Sequence, residues 1–321
     1  MSPGEYELPS IYTQSRGQNR PFQDSDDEDP LDTRSPMPSH KSSTIRQYKD
    51  IHVEDNRLAW LLLGTSLSIL IMTVIPVLAK LPDFSVWFSG NTLWRLFDPL
   101  ITLPLNLFVI TRANIMLNGK SYYWGDLSEA SVTWLFWAFG AGIYCQFHGI
   151  HAAAAMFKHP IQDFNLAHPE LVLQYPVLEE MYSNMRDLWE HYIAHYLYVL
   201  GAMMMSWAQL FAFRNQLHGP LPTITRVVWC VGIVFYGLLL AGVAIEFPQG
   251  LYVGIGYTIL MSFVCVAMIV FNRHNLDKGG LFTMGRRMVL QFYLSSCLLG
   301  LLVIVIWIGI FGFQNRKAAG V

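Results

Sequence analysis

Residues 288–313 read MVLQFYLSSCLLGLLVIVIWIGIFGF, without a charged side chain from one end to the other. A helix needs about 20 consecutive apolar residues to cross the hydrocarbon core of a bilayer, so this stretch places the chain in a membrane. Working back towards the N-terminus, further runs have the length and composition of a span: Leu58 to Ala79, Leu93 to Thr111, Val132 to Phe157, Leu188 to Phe213, Val227 to Phe247 and Leu251 to Phe271. The expected fold is therefore all-α, a polytopic membrane helix bundle of about seven transmembrane helices over residues 56–313, with 314–321 as a short C-terminal tail. The second run is interrupted by Asp98, Pro99 and Pro104. Neighbouring helices can re-satisfy the carbonyls that a proline frees, so it reads as a kinked span.

Composition agrees. Hydrophobic residues make up 53% of the 321 and charged residues only 14%, against about a quarter charged in soluble domains. The formal charge of -2 and the lack of a basic stripe exclude nucleic acid as a partner. The partner the composition does imply is membrane lipid. Cys145, Cys230, Cys265 and Cys297 all fall inside apolar runs and read as small buried hydrophobes, not as a disulfide framework. Residues 1–55 differ from everything after them. They carry the acidic run Asp24 to Asp29, closed by Pro30, and are rich in Ser and Pro. Such a segment buries too little apolar surface to offset its ordering entropy and is expected to be a disordered tail. With no apolar core before Leu58, it is not a signal peptide.

Lys and Arg favour cytoplasmic loops. With seven spans the N-terminal side collects twelve of them, among them Arg57, Arg112, Arg214, Arg286 and Arg287; the opposite side has six: Lys80, Arg95, Lys158, Arg186, Arg316 and Lys317. The N-terminus is thus expected in the cytosol.

That topology brings ionisable groups from four spans to one leaflet. His148 and His151 leave the third span on the outer side, Asp187, Glu190, His191 and His195 enter the fourth from it, Asp98 starts the second and Glu246 ends the fifth. Ionisable groups at membrane depth are costly and mark functional sites by default. With residues three and four apart sharing a helix face, Cys145, His148 and His151 form one stripe and Asn184, Asp187, His191 and His195 another. Facing imidazoles suit zinc, whose catalytic sites keep a position for water. On this reading His148, His151, His191 and His195 are candidate metal ligands. Asp187 is a carboxylate partner for His191, and Glu190, Asp98 or Glu246 is a candidate catalytic base on metal-bound water. The bland alternative for each His is hydrogen bonding at headgroup level. The segment Lys158 to Arg186, with His159 and His168, reads as a connecting loop carrying an interfacial amphipathic stretch over the cluster's mouth.

The chain bears two resemblances. Seven spans with intramembrane His are broadly similar to the superfamily of alkaline ceramidases and adiponectin-type receptors. There the last span carries an HxxxH pair, and here it has no His, so no residue is carried over. More specifically, Ile150-His151 with His159 eight residues on, Glu190-His191 with His195, Glu246, and the loop Leu276-Asp277 to Gly280-Leu281-Phe282 resemble the seven-span endoplasmic reticulum membrane protein family linked to neuronal ceroid lipofuscinosis type 6. The likeness covers roughly Trp134 to Trp307. It implies an endoplasmic reticulum location, a cytosolic N-terminus and no established catalytic activity. It adds His159 to the metal candidates and departs at His191, where that family carries a carboxylate. Three functions compete: a protein that binds metal and a lipid or lumenal partner through the cluster, a metal-dependent hydrolase of a lipid-like substrate, and a transporter or proton-coupled carrier. Whether the chain is an enzyme is left open by its residues. The carrier predicts ionisable groups at several depths, and the cytosolic halves of the spans look almost free of them.

Overall fold

A computed structural model describes residues 40–79, 81–117, 123–124, 127–271 and 283–320. The membrane helices belong to one compact unit, Thr44–Val321. The elements in chain order are α1 His40–Ala79, α2 Gly90–Arg95, α3 Asp98–Ile110, α4 Asn114–Leu117, a two-stranded antiparallel ribbon of β1 Tyr123–Trp124 and β2 Leu127–Ser128, α5 Glu129–Ala167, α6 Pro169–Gln174 and α7 Val177–Ser183. A π-helical segment, Asn184–Ala194, then leads into α8 His195–Phe213, followed by α9 Thr223–Glu246, α10 Gly250–Phe271 and α11 Met288–Phe311. The protein is an all-helical, multi-pass membrane bundle.

Among the described residues six helical stretches are long and apolar enough to cross a membrane: His52–Thr73, Gly90–Ile110, Val177–Phe213, Thr223–Glu246, Gly250–Phe271 and Met288–Phe311. These correspond to the expected spans except the third. Residues 132–157 lie within the 39-residue α5, whose Gln146, His148 and His151 dilute its hydropathy, so that helix is not one of the six. The expected tail, 1–55, lies mostly outside the described residues, as does the 276–282 loop of the family likeness. From His40 onward the tail is helical and continuous with the first span.

Two differences from the sequence expectation, and one kink that it anticipated, bear on the site. The connection 158–186 is not an open loop: α5 runs through Pro160 to Ala167, and α6 and α7 come almost at once after it. Residues 314–320 are folded back rather than free. Trp307 Nε1 donates to the Gln314 carbonyl at 2.8 Å, and Arg316 N to the Ile245 carbonyl at 3.0 Å, holding the C-terminus against the end of α9. The second span is broken into α2 and α3 at Leu96 and Phe97, with Ser89 capping α2 through Thr92 N at 3.1 Å and Pro99 in the first turn of α3. A helix start tolerates Pro because its first N–H groups have no partner in the helix.

Close packing sets the frame. α5 crosses α8 where Gly140 meets Gly201: a Cβ on Gly201 would stand 2.7 Å from Tyr144 N and 2.8 Å from the Gly140 carbonyl oxygen. Small residues let membrane helices approach this far. Gly237 does the same for α9 and α11, with Ser296 O only 2.9 Å from where its Cβ would be, and Gly232 approaches Phe292 and Leu63. Gly142, two residues on from Gly140 in α5, has nothing within 4 Å of where its Cβ would be. The α5–α8 crossing buries Ala141, Tyr144, Phe147, Ala194, Tyr198 and Met205 as one apolar cluster. The polar residues lie against it.

Candidate functional site

On α3, Asp98, Thr102 and Asn106 recur every fourth residue and are all buried. On α5 the buried stripe is Tyr144, Phe147, His148 and His151; Cys145 faces outward instead. The two faces meet at Asp98, which is 0% exposed. Its Oδ2 accepts from the Tyr144 hydroxyl at 2.7 Å, and its Oδ1 accepts from Thr102 Oγ1. Thr102 is in turn 2.9 Å from Ser68 Oγ of α1. His148 Nε2 stands 3.2 Å from Asp98 Oδ2, close enough for an ion pair but without hydrogen-bond alignment.

A second group lies further out. Glu190 is buried and takes Lys158 Nζ on one oxygen at 2.6 Å, while His151 Nε2 is 3.7 Å from the other. Arg95, at the end of α2, places an NH group 3.3 Å from the same His151 nitrogen. His151 and His195 stack with centroids 5.8 Å apart, His195 and Phe247 at 4.1 Å, and His191 meets His195 edge-on at 5.5 Å. The ring of Phe147 is inserted among the imidazoles, 4.4 Å from His148, 5.6 Å from His151 and 6.4 Å from His195.

The structure thus brings together Asp98, His148, His151, Glu190, His191 and His195, and leaves out three expected members. Glu246 is half-exposed and paired with Arg316 at 2.6 Å, at the folded-back C-terminus. Asp187 is turned to solvent and held by Arg186 at 2.7 and 2.8 Å, while Nδ1 of His191 hydrogen-bonds the Arg186 carbonyl oxygen. His159 lies in α5, partly exposed, and its side chain makes no hydrogen bond, ion pair or ring contact to another described residue. The cause for Asp187 is local. In a π-helix turns close i→i+5, so the α-helical stripe Asn184, Asp187, His191, His195 does not form, and Glu190 is the carboxylate that turns inward.

Zinc was expected to be shared by the histidines. Among the described residues no three His, Cys, Asp or Glu side chains gather as a group able to hold a metal ion, and Arg95 and Lys158 add positive charge beside the imidazoles.

The residues missed were Arg95, Lys158, Tyr144, Thr102 and Ser68. The first two entered only as loop charges, and the hydroxyls sat unmarked within apolar runs; the i,i+4 spacing of Asp98, Thr102 and Asn106 was the available signal. The opposite end of the bundle is also less bare than it looked. Glu129 pairs with Arg214, and Asp55 with His218 at 2.7 Å, all largely buried. Between the two ends, Trp137 Nε1 donates to Asn106 at 2.7 Å and the Tyr293 hydroxyl to Gln209 at 2.6 Å.

Beside the outer group, a cleft runs between α8, α9 and α10. Its walls are apolar, including Val199, Ala202, Leu240, Val243 and Phe247, with Tyr198, Tyr236 and Tyr257 among them. Compared with known proteins, the chain matches no protein family, no curated protein and no solved structure.

Proposed function

We propose that this is a multi-pass endoplasmic reticulum membrane protein that binds a lipid, with the acyl part in the α8–α9–α10 cleft and the polar part at the His and carboxylate cluster. One observation carries the reading: Phe247 lines the cleft and its ring stacks on His195 at 4.1 Å, so the apolar cleft and the polar cluster share a wall. Its lining, mostly apolar with a few placed polar groups, is that of small-molecule sites. From Phe247 to Tyr236 along α9 it extends about 16 Å at 1.5 Å per residue, roughly half the ~30 Å hydrocarbon thickness. That is the depth of one leaflet. The endoplasmic reticulum placement and the cytosolic N-terminus rest on the family likeness and the charge count.

The test is lipid retention. Protein purified through exchange of detergent should keep a bound lipid, seen by mass spectrometry, and Ala202→Trp, which fills the cleft, should lose it. Equal retention in both ends this reading. A second reading, a carrier, is favoured by the buried polar groups at successive depths, Asp98, Thr102 and Asn106 on α3 and Glu129 with Arg214 beyond them. It predicts pH-dependent flux in proteoliposomes that Asp98→Asn abolishes.

A further inference from the structure

Arg95 is partly buried at the outer end of the bundle. Its NH1 group contacts His151 Nε2 at 3.3 Å, while its Nε is closed off from solvent and without a partner. Among the described residues no carboxylate stands within ion-pair distance of it. The oxygens of Glu190 face Lys158 at 2.6 Å and His151 at 3.7 Å, and those of Asp98 are engaged by Thr102, Tyr144 and His148. Glu190, Glu246 and Asp98 act on it only from beyond ion-pair distance; a guanidinium removed from water without a directly paired counter-charge is costly, and its planar fork matches a carboxylate or phosphate with two parallel hydrogen bonds. His195 adds another unsatisfied group, an Nδ1 closed off from solvent. Phe247, His195, His151 and Arg95 form one row, at 4.1, 5.8 and 3.3 Å between successive members, from the cleft wall to the unpaired cation.

We infer that Arg95, with Lys158, His151 and His195 beside it, forms a binding site for an anionic group, phosphate or carboxylate, carried on the lipid whose chain occupies the cleft. The inference rests on the lipid reading above and adds the headgroup class. A metal ion does not suit this end of the cluster, because two cationic side chains already occupy it. An anion satisfies the open Nε and supplies the partner that Glu190, committed to Lys158, does not.

The experiment measures binding to the full-length protein in detergent of three probes: dioctanoyl phosphatidic acid, dioctanoylglycerol and inorganic phosphate. Wild type should bind phosphatidic acid about tenfold or more tighter than dioctanoylglycerol, the worth of a charge-assisted hydrogen bond. In Arg95→Gln that preference should vanish, and Arg95→Lys, which keeps the charge without the fork, should retain part of it. The melting temperature of lipid-free Arg95→Gln should not fall, since no ion pair is broken. A purely structural Arg95 would lower it, and a drop or failure to fold overturns the inference. Equal affinity for the two lipids in wild type, or an unchanged preference in Arg95→Gln, also overturns it while leaving the lipid reading intact. If phosphate alone binds, and binding is lost in Arg95→Gln, the anion site stands and the lipid reading falls. If no probe binds, both fall.

Discussion

Replacing Tyr144 by Phe removes one hydroxyl and little else, and the size of the loss reports what Asp98 is. The Tyr144 hydroxyl donates to Asp98 Oδ2 at 2.7 Å, and the two residues are 1% and 0% exposed, so water cannot take its place. An average interhelical hydrogen bond in a membrane protein is worth about 0.6 kcal/mol; a hydrogen bond to a charged group is worth about 1.5–3 kcal/mol. Asp98 receives a hydroxyl on each oxygen, from Thr102 and from Tyr144, the acceptor-only role of an ionised carboxylate. The expected cost is therefore about 2 kcal/mol, or on the order of 5 °C in melting temperature. The assay is thermal unfolding of the detergent-purified protein, run as a cycle with Asp98→Asn. In the Asn background the cost of Tyr144→Phe should fall to about 0.6 kcal/mol, since only a neutral bond remains. An equal loss in both backgrounds refutes the assignment of Asp98 as a charged acceptor for Tyr144.

Other outcomes can be read in the same preparation. Glu190→Gln leaves Lys158 buried without its counter-charge, 2.6 Å from a neutral amide, and should cost about 3 kcal/mol, whereas Glu190→Leu with Lys158→Met should be near neutral; unfolding temperatures compare them. Gly201→Ala places a methyl 2.7 Å from a backbone nitrogen that cannot swing aside and should cost about 1–3 kcal/mol, seen as lost monodispersity in size-exclusion chromatography, while Gly142→Ala should behave as wild type. Arg316→Ala breaks an exposed pair with Glu246 and should cost under about 1 kcal/mol without changing lipid retention; a loss of binding would return Glu246 to the site. Metal analysis after incubation with zinc should find the same content in wild type, His151→Ala and His195→Ala, and stoichiometric zinc lost in either variant would establish a metal centre.

Much of the site was legible because both the cost of burying charge and the length of a span are local properties. The levels of Asp98, His148, His151, Glu190, His191 and His195 in the bundle follow from where they sit in their apolar runs, and the structure does bring them together. Their partners do not follow in the same way. Arg95 and Lys158 look like loop charges until the helices on either side draw them in, and Glu246 looks like a cluster member until the C-terminus folds back to meet it. His159 shares a helix with His151 but lies about two turns beyond it, partly exposed.

By itself, then, the chain determines a helical membrane bundle, the residue ranges of its spans and the end of the bundle that carries the titratable groups, because hydropathy sums over neighbours in sequence. Tertiary structure decides which carboxylate faces inward. An α-helical period would pair Asp187 with His191, but the π-helical turn before α8 turns Glu190 in and leaves Asp187 to Arg186. It also decides how the imidazoles lie about the Phe147 ring, since the Gly140–Gly201 crossing fixes how far α5 and α8 approach and which faces they present. Helix rotation and approach depend on contacts between residues far apart in sequence, and no local pattern encodes them.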